Sequence, residues 1–329
     1  EVKFYMFIPW LVKPRHLLGV CLCVTLGVVH AAFPERPIKL VTPFPAGGTV
    51  DAVARTLAAQ WSITLNTPVV VDNVPGAGGA IATQKVVKSA PDGYTLLFTT
   101  PNHTINPALS DKLGYDTLRD LSPVSLVAQI PELLIVHAGL PFSDFTGFVK
   151  HAAAHPGQLD YASAGNGTLP HVTMELLLQK LNLQLTHIPY KGAAPALNDV
   201  LAGNVAVKFD TIATSAGHVR SGRIKPLAIA SLKRSPLMPQ VPTIAESGLP
   251  GYQGILWMGL LAPAGTPRPV IDELHRSLRL TLAEPSLIKK YELEGVEVVG
   301  NTPAEFQQLI ETELKQWVDV VKRAKIKAD

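Results

Sequence analysis

The chain has 329 residues, of which 47% are hydrophobic and 17% are charged, and its formal net charge at pH 7 is +3. This length and apolar content exclude a disordered protein and fit one large lobe or two modest ones. Basic residues are scattered except for a small group at the C-terminus, so the sequence lacks the basic surface typical of a nucleic-acid-binding protein.

Residues 1–31 are predicted to be a signal peptide for export. Lys13 and Arg15 precede the apolar run 17–29, and small residues follow it at a plausible cleavage site. The 13 apolar residues extend only about 20 Å, whereas a membrane anchor must span roughly 30 Å. Both cysteines of the chain lie in this segment. The mature chain is therefore expected to lack disulfides, thiol nucleophiles and cysteine-bound metals.

From residue 38 onward, short apolar runs alternate with helical patterns, which predicts an α/β protein with a parallel sheet built from strand-helix-strand units. The predicted strands cover residues 38–44, 69–74, 95–100, 133–137, 159–164, 185–190, 205–210, 226–230, 255–262 and 296–300. Helices are predicted after an N-cap at Thr49, after Gly79, around Leu169, over 193–202 and over 303–321.

Two extended apolar runs, residues 133–140 and 255–262, divide the chain into an outer pair of segments and a middle segment. Two crossings between these segments predict two lobes joined by a pair of strands. Residues 32–135 together with 256–329 are assigned to the first lobe, and residues 136–255 to the second.

Three glycine-rich turns each join the end of a predicted strand to the start of a predicted helix: residues 43–49, 75–79 and 164–168. Such turns present backbone N–H groups at a positive helix end, where no side chain blocks the approach of an anion. One turn alone is ordinary loop chemistry. Three at corresponding places favour a shared anionic ligand beyond the carboxyl ends of the strands. None matches a P-loop or a dinucleotide-binding motif, which favours a carboxylate over a phosphate.

The polar residues near these turns give little support for a metal site or for catalysis. His171 lacks the second histidine at helical spacing that a zinc site needs, so no metal or other cofactor is expected. Ser163 stands in no nucleophile motif and is interpreted as a strand-end serine. His171 is interpreted as a donor near the helix start. Asp210 either caps the following turn or contacts a ligand hydroxyl or amino group. Lys191 is the only nearby formal positive charge, although an exposed lysine is the commoner case.

Several motifs, taken in chain order, resemble the tripartite tricarboxylate transporter substrate-binding proteins, also called Bug receptors. They are PERPIKLV at 34–41, FPAGG at 44–48 with Asp51, DNVPGAGG at 72–79, APDGYTLL at 90–97, YASAGNGT at 161–168 with His171, PYKG at 189–192 with PAL at 195–197, FD at 209–210 and LAPAGTP at 261–267. Val74 stands where the family often has arginine, and Ala46 replaces a common proline. The motifs cover essentially the whole mature chain.

The resemblance implies a two-lobe periplasmic binding fold of the type II-like, flytrap kind, with two crossover strands, which closes around a small carboxylate held mostly by backbone amides. The implied first wall of the binding site consists of Phe44, Ala46, Gly47, Gly48, Asp51, Ala77, Gly78 and Gly79. The implied second wall consists of Gly165, Asn166, Gly167, Thr168, His171 and Asp210.

The implied protein is a periplasmic, monomeric receptor for a mono- or dicarboxylate, aliphatic or aromatic, and not an enzyme. Membrane permease subunits of a transporter are the implied partners. Two alternatives stay open at the level of sequence: a ligand receptor that feeds a signalling system, and a hydrolase or lyase that uses His171 and Asp210 in the same cleft.

Overall fold

The computed structural model describes residues 1–3, 5 and 33–327. The predicted signal peptide, apart from residues 1–3 and 5, lies outside the described residues. None of the helices in the described part of the chain combines the length and the apolar content that a membrane span requires.

Residues 33–327 form ten strands and ten α-helices that alternate along the chain. The strands are β1 (Ile38–Thr42), β2 (Val69–Asn73), β3 (Thr95–Thr99), β4 (Leu121–His137), β5 (Asp160–Ser163), β6 (Thr186–Pro189), β7 (Val207–Thr211), β8 (Ile224–Ile229), β9 (Ile255–Pro263) and β10 (Glu297–Val298). The helices are α1 (Thr49–Leu65), α2 (Ala80–Val87), α3 (Asn102–Leu109), α4 (Phe145–Ala154), α5 (Leu169–Leu181), α6 (Ala193–Ala202), α7 (Ile212–Arg220), α8 (Arg268–Leu282), α9 (Pro285–Leu293) and α10 (Pro303–Ala324). Each predicted strand and helix is confirmed, while α3, α4, α7, α8 and α9 were not predicted.

The strands form one sheet in the order β2-β1-β3-β9-β4-β7-β5-β6, with β8 and β10 also paired to β4. The strands β1, β2 and β3 are parallel to one another, as are β5, β6 and β7. The prediction of a parallel sheet is wrong for the middle of the sheet, where β4 is antiparallel to β7, β8, β9 and β10. The cause is that β4 carries the chain from one half of the sheet to the other.

The two halves of the sheet meet at one residue of β4. Up to Pro131, β4 pairs with β9, and from Glu132 onward it pairs with β7 and β8. At this point the Glu132 amide donates to Gly254 O over 2.9 Å, Ala230 N–H donates to Glu132 O over 2.7 Å, and Gly254 N–H donates to Ala230 O over 2.9 Å. The strand predicted at 133–137 is therefore only the second half of a 17-residue crossing strand.

Each half of the sheet carries hydrophobic clusters of its own, and a further cluster joins the two halves. Trp61 and Phe98 are buried in the first half, and Phe148 and Phe209 in the second. The joining cluster draws on α3, α5 and α10 and contains Ile105, Leu169, Val172, Trp317, Val320 and Val321. The helix α10 thereby contacts both halves.

Gly259→Ala should destabilise the protein, because a Cβ at this position of β9 would lie 2.1 Å from Cζ of the buried Phe306 ring. An extra methyl group in a packed core costs about 1–3 kcal/mol of unfolding free energy. Gly217→Ala is the matched control, because an added Cβ at this position of α7 would meet no atom within 4 Å. That change should stabilise the protein by about 0.5–1 kcal/mol. Urea unfolding measures both values, and equal stability of the two variants would contradict this packing.

Candidate functional site

The first two glycine-rich turns lie side by side. They follow β1 and β2, which are adjacent and parallel, so their carboxyl ends reach the same edge of the sheet. A Cβ placed on Gly79 in the second turn would lie 3.0 Å from Cβ of Pro43 in the first turn. The backbones of the two turns can approach this closely because residue 79 is glycine.

The helix α3 connects these turns to the third turn, which follows β5 in the other half of the sheet. The Asn106 side chain donates from Nδ2 to Gly78 O over 3.0 Å. A Cβ on Gly167 in the third turn would lie 2.2 Å from Cδ1 of Leu109, and Gly167 also has a φ of +67°. Only glycine satisfies both constraints. The helix α3 was not predicted because Pro107 lies inside it, although Pro101 at its start was a usable signal.

The first turn is held in shape by Asp51, which is buried in α1. Its carboxylate accepts hydrogen bonds from Gly47 N over 2.9 Å, from Arg55 Nε over 2.9 Å and from Asn73 Nδ2 over 2.8 Å. Asn73 Nδ2 also donates to Phe44 O over 3.0 Å. The hydrogen bond from Arg55 is the main reason that the pKa of Asp51 is lowered to about 2. The structure therefore places Asp51 as a support of the turn, with both oxygens engaged.

The helices that follow the three turns start without a side-chain cap. The N-cap residues of α1, α2 and α5 are Gly48, Gly79 and Thr168, and none of them makes a side-chain cap hydrogen bond. The prediction that Thr49 caps α1 is wrong, because Thr49 is already the first helical residue. Side chains cap the helix starts at Asp144 for α4, Thr211 for α7 and Thr302 for α10, whereas α3, α6, α8 and α9 also begin without a side-chain cap. The first N–H groups of these helices are thus not satisfied by a cap side chain, whereas within the turns the Gly47 and Gly167 amides already donate to Asp51 and His171.

The second turn has an unusual backbone. Gly76, Ala77, Gly78 and Gly79 all have positive φ, from 47° at Ala77 to 129° at Gly76. Positive φ is uncommon in a residue that carries a Cβ, and such residues concentrate at ligand-binding sites. Residues 76–78 are exposed, so this strained segment is open to a ligand.

The third turn is supported by His171. The Gly167 amide donates to His171 Nδ1 over 3.1 Å, and the His171 ring stacks on His187 with centroids 3.7 Å apart. Burial lowers the pKa of His171 to about 3, so the ring is neutral and can accept this hydrogen bond. His171 was expected to be a donor; its Nδ1 accepts a hydrogen bond here, and the neutral ring keeps one N–H, at Nε2.

Ser163 and His187 have the spacing of a nucleophile and its base, with Ser163 Oγ 2.6 Å from His187 Nε2. Ser163 is fully buried, and its Oγ also accepts the Gly165 amide hydrogen over 3.1 Å. This geometry shapes the third turn and offers no surface to a substrate.

Asp210 lies at the end of β7 as half of a buried ion pair. Its Oδ1 is 2.9 Å from Lys208 Nζ, and its Oδ2 accepts a hydrogen bond from Ser215 Oγ over 3.0 Å. Lys191 was considered as the nearby positive charge. It is exposed, and the charge that pairs with Asp210 is Lys208. Lys208 was missed, although a lysine two residues before an aspartate on one strand places both on the same face.

The remaining predicted residues differ in exposure. The exposed ones are Ala46, Gly47, Gly48, Ala77 and Gly78, the half-buried ones are Phe44, Gly165, Asn166 and Thr168, and the buried ones are Asp51, Gly79, Gly167, His171 and Asp210. The Thr168 hydroxyl donates to Gly165 O over 2.7 Å and so closes its own turn. In the described part of the chain, no three His, Cys, Asp or Glu side chains are grouped closely enough to hold a metal ion.

The sheet has two α/β halves that are joined by the crossing strand β4, and the helix α3 contacts glycine-rich turns of both halves. This is the fold of a two-lobe periplasmic binding protein. The periplasmic binding protein BugD, whose structure is solved, is 36% identical to this chain in sequence. The two structures match with a TM-score of 0.77, and the match covers 90% of this chain and 99% of BugD. A model of the family described as tripartite tricarboxylate transporter family receptor matches residues 53–326. The chain belongs to this receptor family, whose members are not enzymes.

Two further solved structures contain ligands. R. palustris Rpa4515 with adipate is 35% identical, with a TM-score of 0.79 over 90% of this chain and 99% of that one. MatC (Rpa3494) from Rhodopseudomonas palustris with bound malate is also 35% identical, with a TM-score of 0.76 over 88% of this chain and 100% of that one. Both relatives therefore hold a small dicarboxylate.

Asp51→Asn should lower the free energy of unfolding by about 1–3 kcal/mol at pH 7, because hydrogen bonds to a charged group are weakened. The pKa of Asp51 is depressed in the folded protein, so its contribution is fully present above the ordinary value of 3.8 and is lost as the pH falls towards about 2. Urea unfolding of both proteins across this pH range measures the difference.

The control for this experiment is Asp272→Asn, which removes an ion pair between the exposed side chains of Arg268 and Asp272. It should change the free energy of unfolding by less than about 1 kcal/mol. An Asp51→Asn effect no larger than that of the control would contradict the supporting role of Asp51.

Proposed function

We propose that this protein is a periplasmic receptor that captures a small mono- or dicarboxylate between its lobes and delivers it to the membrane permease subunits of a tripartite tricarboxylate-type transporter. The observation that carries this proposal is the set of three uncapped helix starts whose glycine-rich turns lie around α3. Helix N-termini with free amides favour an anion. The adipate and malate in the two Rhodopseudomonas structures support a carboxylate as that anion.

Backbone amides, and not cationic side chains, are the proposed recognition groups. The Arg55 guanidinium is paired with Asp51, and the Lys208 ammonium is paired with Asp210. Both charges are thus balanced within the protein before a ligand arrives. The exposed amide of Gly48 in the first turn, next to the Gly47 amide that Asp51 holds, and those of the second turn would bind one carboxylate oxygen each. On the other wall, the Gly167 amide would exchange its neutral acceptor, His171, for the charged carboxylate.

Binding by amides from both walls would couple ligand capture to lobe closure, because a ligand shifts a conformational equilibrium only through its differential affinity for the two states. We assign residues 32–135 and 256–329 to the first lobe and 136–255 to the second. The change of partners of β4 between Pro131 and Glu132 supports a boundary close to this assignment. A monomer with a cleaved signal peptide is the form we propose for the mature receptor.

Gly48→Leu should abolish carboxylate binding without unfolding the protein. Gly48 has an ordinary φ of −85°, and the nearest atom to an added Cβ is Pro45 O at 4.0 Å. A leucine side chain there would block the approach to the amides of the first turn. Each hydrogen bond to a charged group contributes about 1.5–3 kcal/mol, so affinity should fall at least about tenfold. Gly167 is a poorer test, since any side chain there collides with Leu109.

Thermal shift and titration calorimetry with adipate, malate and benzoate measure this binding, on protein unfolded and refolded to remove carried-over ligand. Ala59→Leu is the control, because Ala59 is exposed in the middle of α1 and away from the turn. The control should bind like the wild type. Unchanged affinity in Gly48→Leu, or wild-type protein that binds none of the three carboxylates, would overturn the proposal.

A further inference from the structure

Glu132 is a buried acid at the point where the two halves of the sheet meet. Its backbone N–H and C=O make the two hydrogen bonds that tie β4 to Gly254 and Ala230. Its side chain is only 4% exposed. Any rotation of one lobe against the other must pass through these chain crossings, so the surroundings of Glu132 depend on the relative position of the lobes.

The carboxyl group of Glu132 lies in a site with few groups that favour its charged form. Its Oε2 is fully buried and makes no hydrogen bond of good geometry, and the Thr173 hydroxyl on α5 is the nearby donor that favours the charge. The charged groups facing it from β7 are Lys208 and Asp210, which neutralise each other over 2.9 Å. The Tyr252 hydroxyl, which precedes β9, donates instead to Thr173 O over 2.6 Å. An ionised Glu132 would therefore leave one uncompensated negative charge in the interior.

Burial of such a charge is costly, and a carboxyl group in this position binds a proton instead. Burial raises the pKa of Glu132 to about 8, against the opposing effects of Lys208 and the Thr173 hydroxyl. One of the segments that bury the carboxyl group is the one that contains Gly254 and leads into β9. A Cβ on Gly254 would lie 2.4 Å from Cγ2 of Thr173, so this segment packs directly on the residue beside Glu132.

We propose that Glu132 is a proton-binding site at the junction of the lobes, and that closure of the lobes takes up this proton. The inference rests on the proposed receptor function and extends it: carboxylate capture and proton uptake would be linked. The direction of the pH dependence follows from the pKa of Glu132 in the open and closed forms. We assign the described arrangement, in which burial holds the pKa near 8, to the closed form; water reaching Glu132 in an open form would return its pKa towards the ordinary 4.5. The ratio of closed to open protein would be highest below pH 4.5, fall by up to about tenfold per pH unit, and level off above pH 8.

The test measures lobe closure directly and needs no ligand. Spin labels are attached to Ile81→Cys and Lys191→Cys, in a protein whose Cys21 and Cys23 are replaced by serine. Ile81 is exposed and lies over Gly76 of the second turn, and Lys191 is exposed beside Tyr190, whose carbonyl lies against the third turn. Electron paramagnetic resonance then reports the distance across the cleft from pH 5 to 9, with Glu132 and with Glu132→Gln.

With Glu132, the longer distance should gain population by up to about tenfold per unit as the pH rises from 5 to 8. With Glu132→Gln, the distribution should not change with pH. Glu313→Gln is the matched control, because Glu313 is another buried acid, with its pKa raised by burial to about 7, but it accepts from Thr104 of α3 and Trp257 of β9, away from the β4–β7 junction. This control should keep the pH response of the parent.

Identical pH profiles for Glu132 and Glu132→Gln, whether flat or sloped, would overturn the proposal. Urea unfolding at pH 5, where the wild-type carboxyl is protonated, checks that the glutamine variant folds with similar stability. Because no ligand is added, failure of this experiment would leave the carboxylate-binding result of Gly48→Leu untouched. Conversely, a receptor that binds no carboxylate could still show the predicted pH response.

Discussion

Backbone N–H groups at the start of a helix need acceptors, and at α1, α2 and α5 the protein supplies none from a cap side chain. This constraint governs the cleft. The parallel strands β1 and β2 place the first two helix starts side by side, and α3 contacts the second turn through Asn106 and the third through Leu109. In the proposed site, the amides of these turns form a positive lining for an anion.

The polar residues around this lining act on the turns and keep their own charges balanced. Asp51 is held by Arg55, and Asp210 by Lys208. His171 is neutral and accepts from Gly167. The consequence is that the local electrostatics of the cleft come mainly from backbone dipoles. Glu132 is the exception, because its carboxyl lies at the junction of the lobes with no balancing charge of its own, and a proton is the simplest way to balance it.

The alternation of apolar runs and turns was sufficient to predict every strand and the helices that carry the glycine-rich turns. It could not predict that β4 begins at Leu121, because Ser122, Pro123 and Ser125 interrupt the apolar run of a strand that is long only through its pairing with β9. Pro107 concealed α3 in the same way. The pairing of Lys208 with Asp210 follows from strand periodicity and was overlooked. The acceptor role of His171 depends on burial, which a sequence does not give.

The central claim is that a carboxylate is held by the amides of the glycine-rich turns. It is tested most directly by nuclear magnetic resonance of protein in which only the 25 glycines carry ¹⁵N. Adipate is titrated into refolded protein, with uncharged adipamide as the comparison. The account predicts that the amide signals of Gly47, Gly48 and Gly167 shift with adipate and not with adipamide, while that of Gly217 stays in place. Saturable adipate binding that leaves the signals of the three turn glycines unmoved would contradict the account.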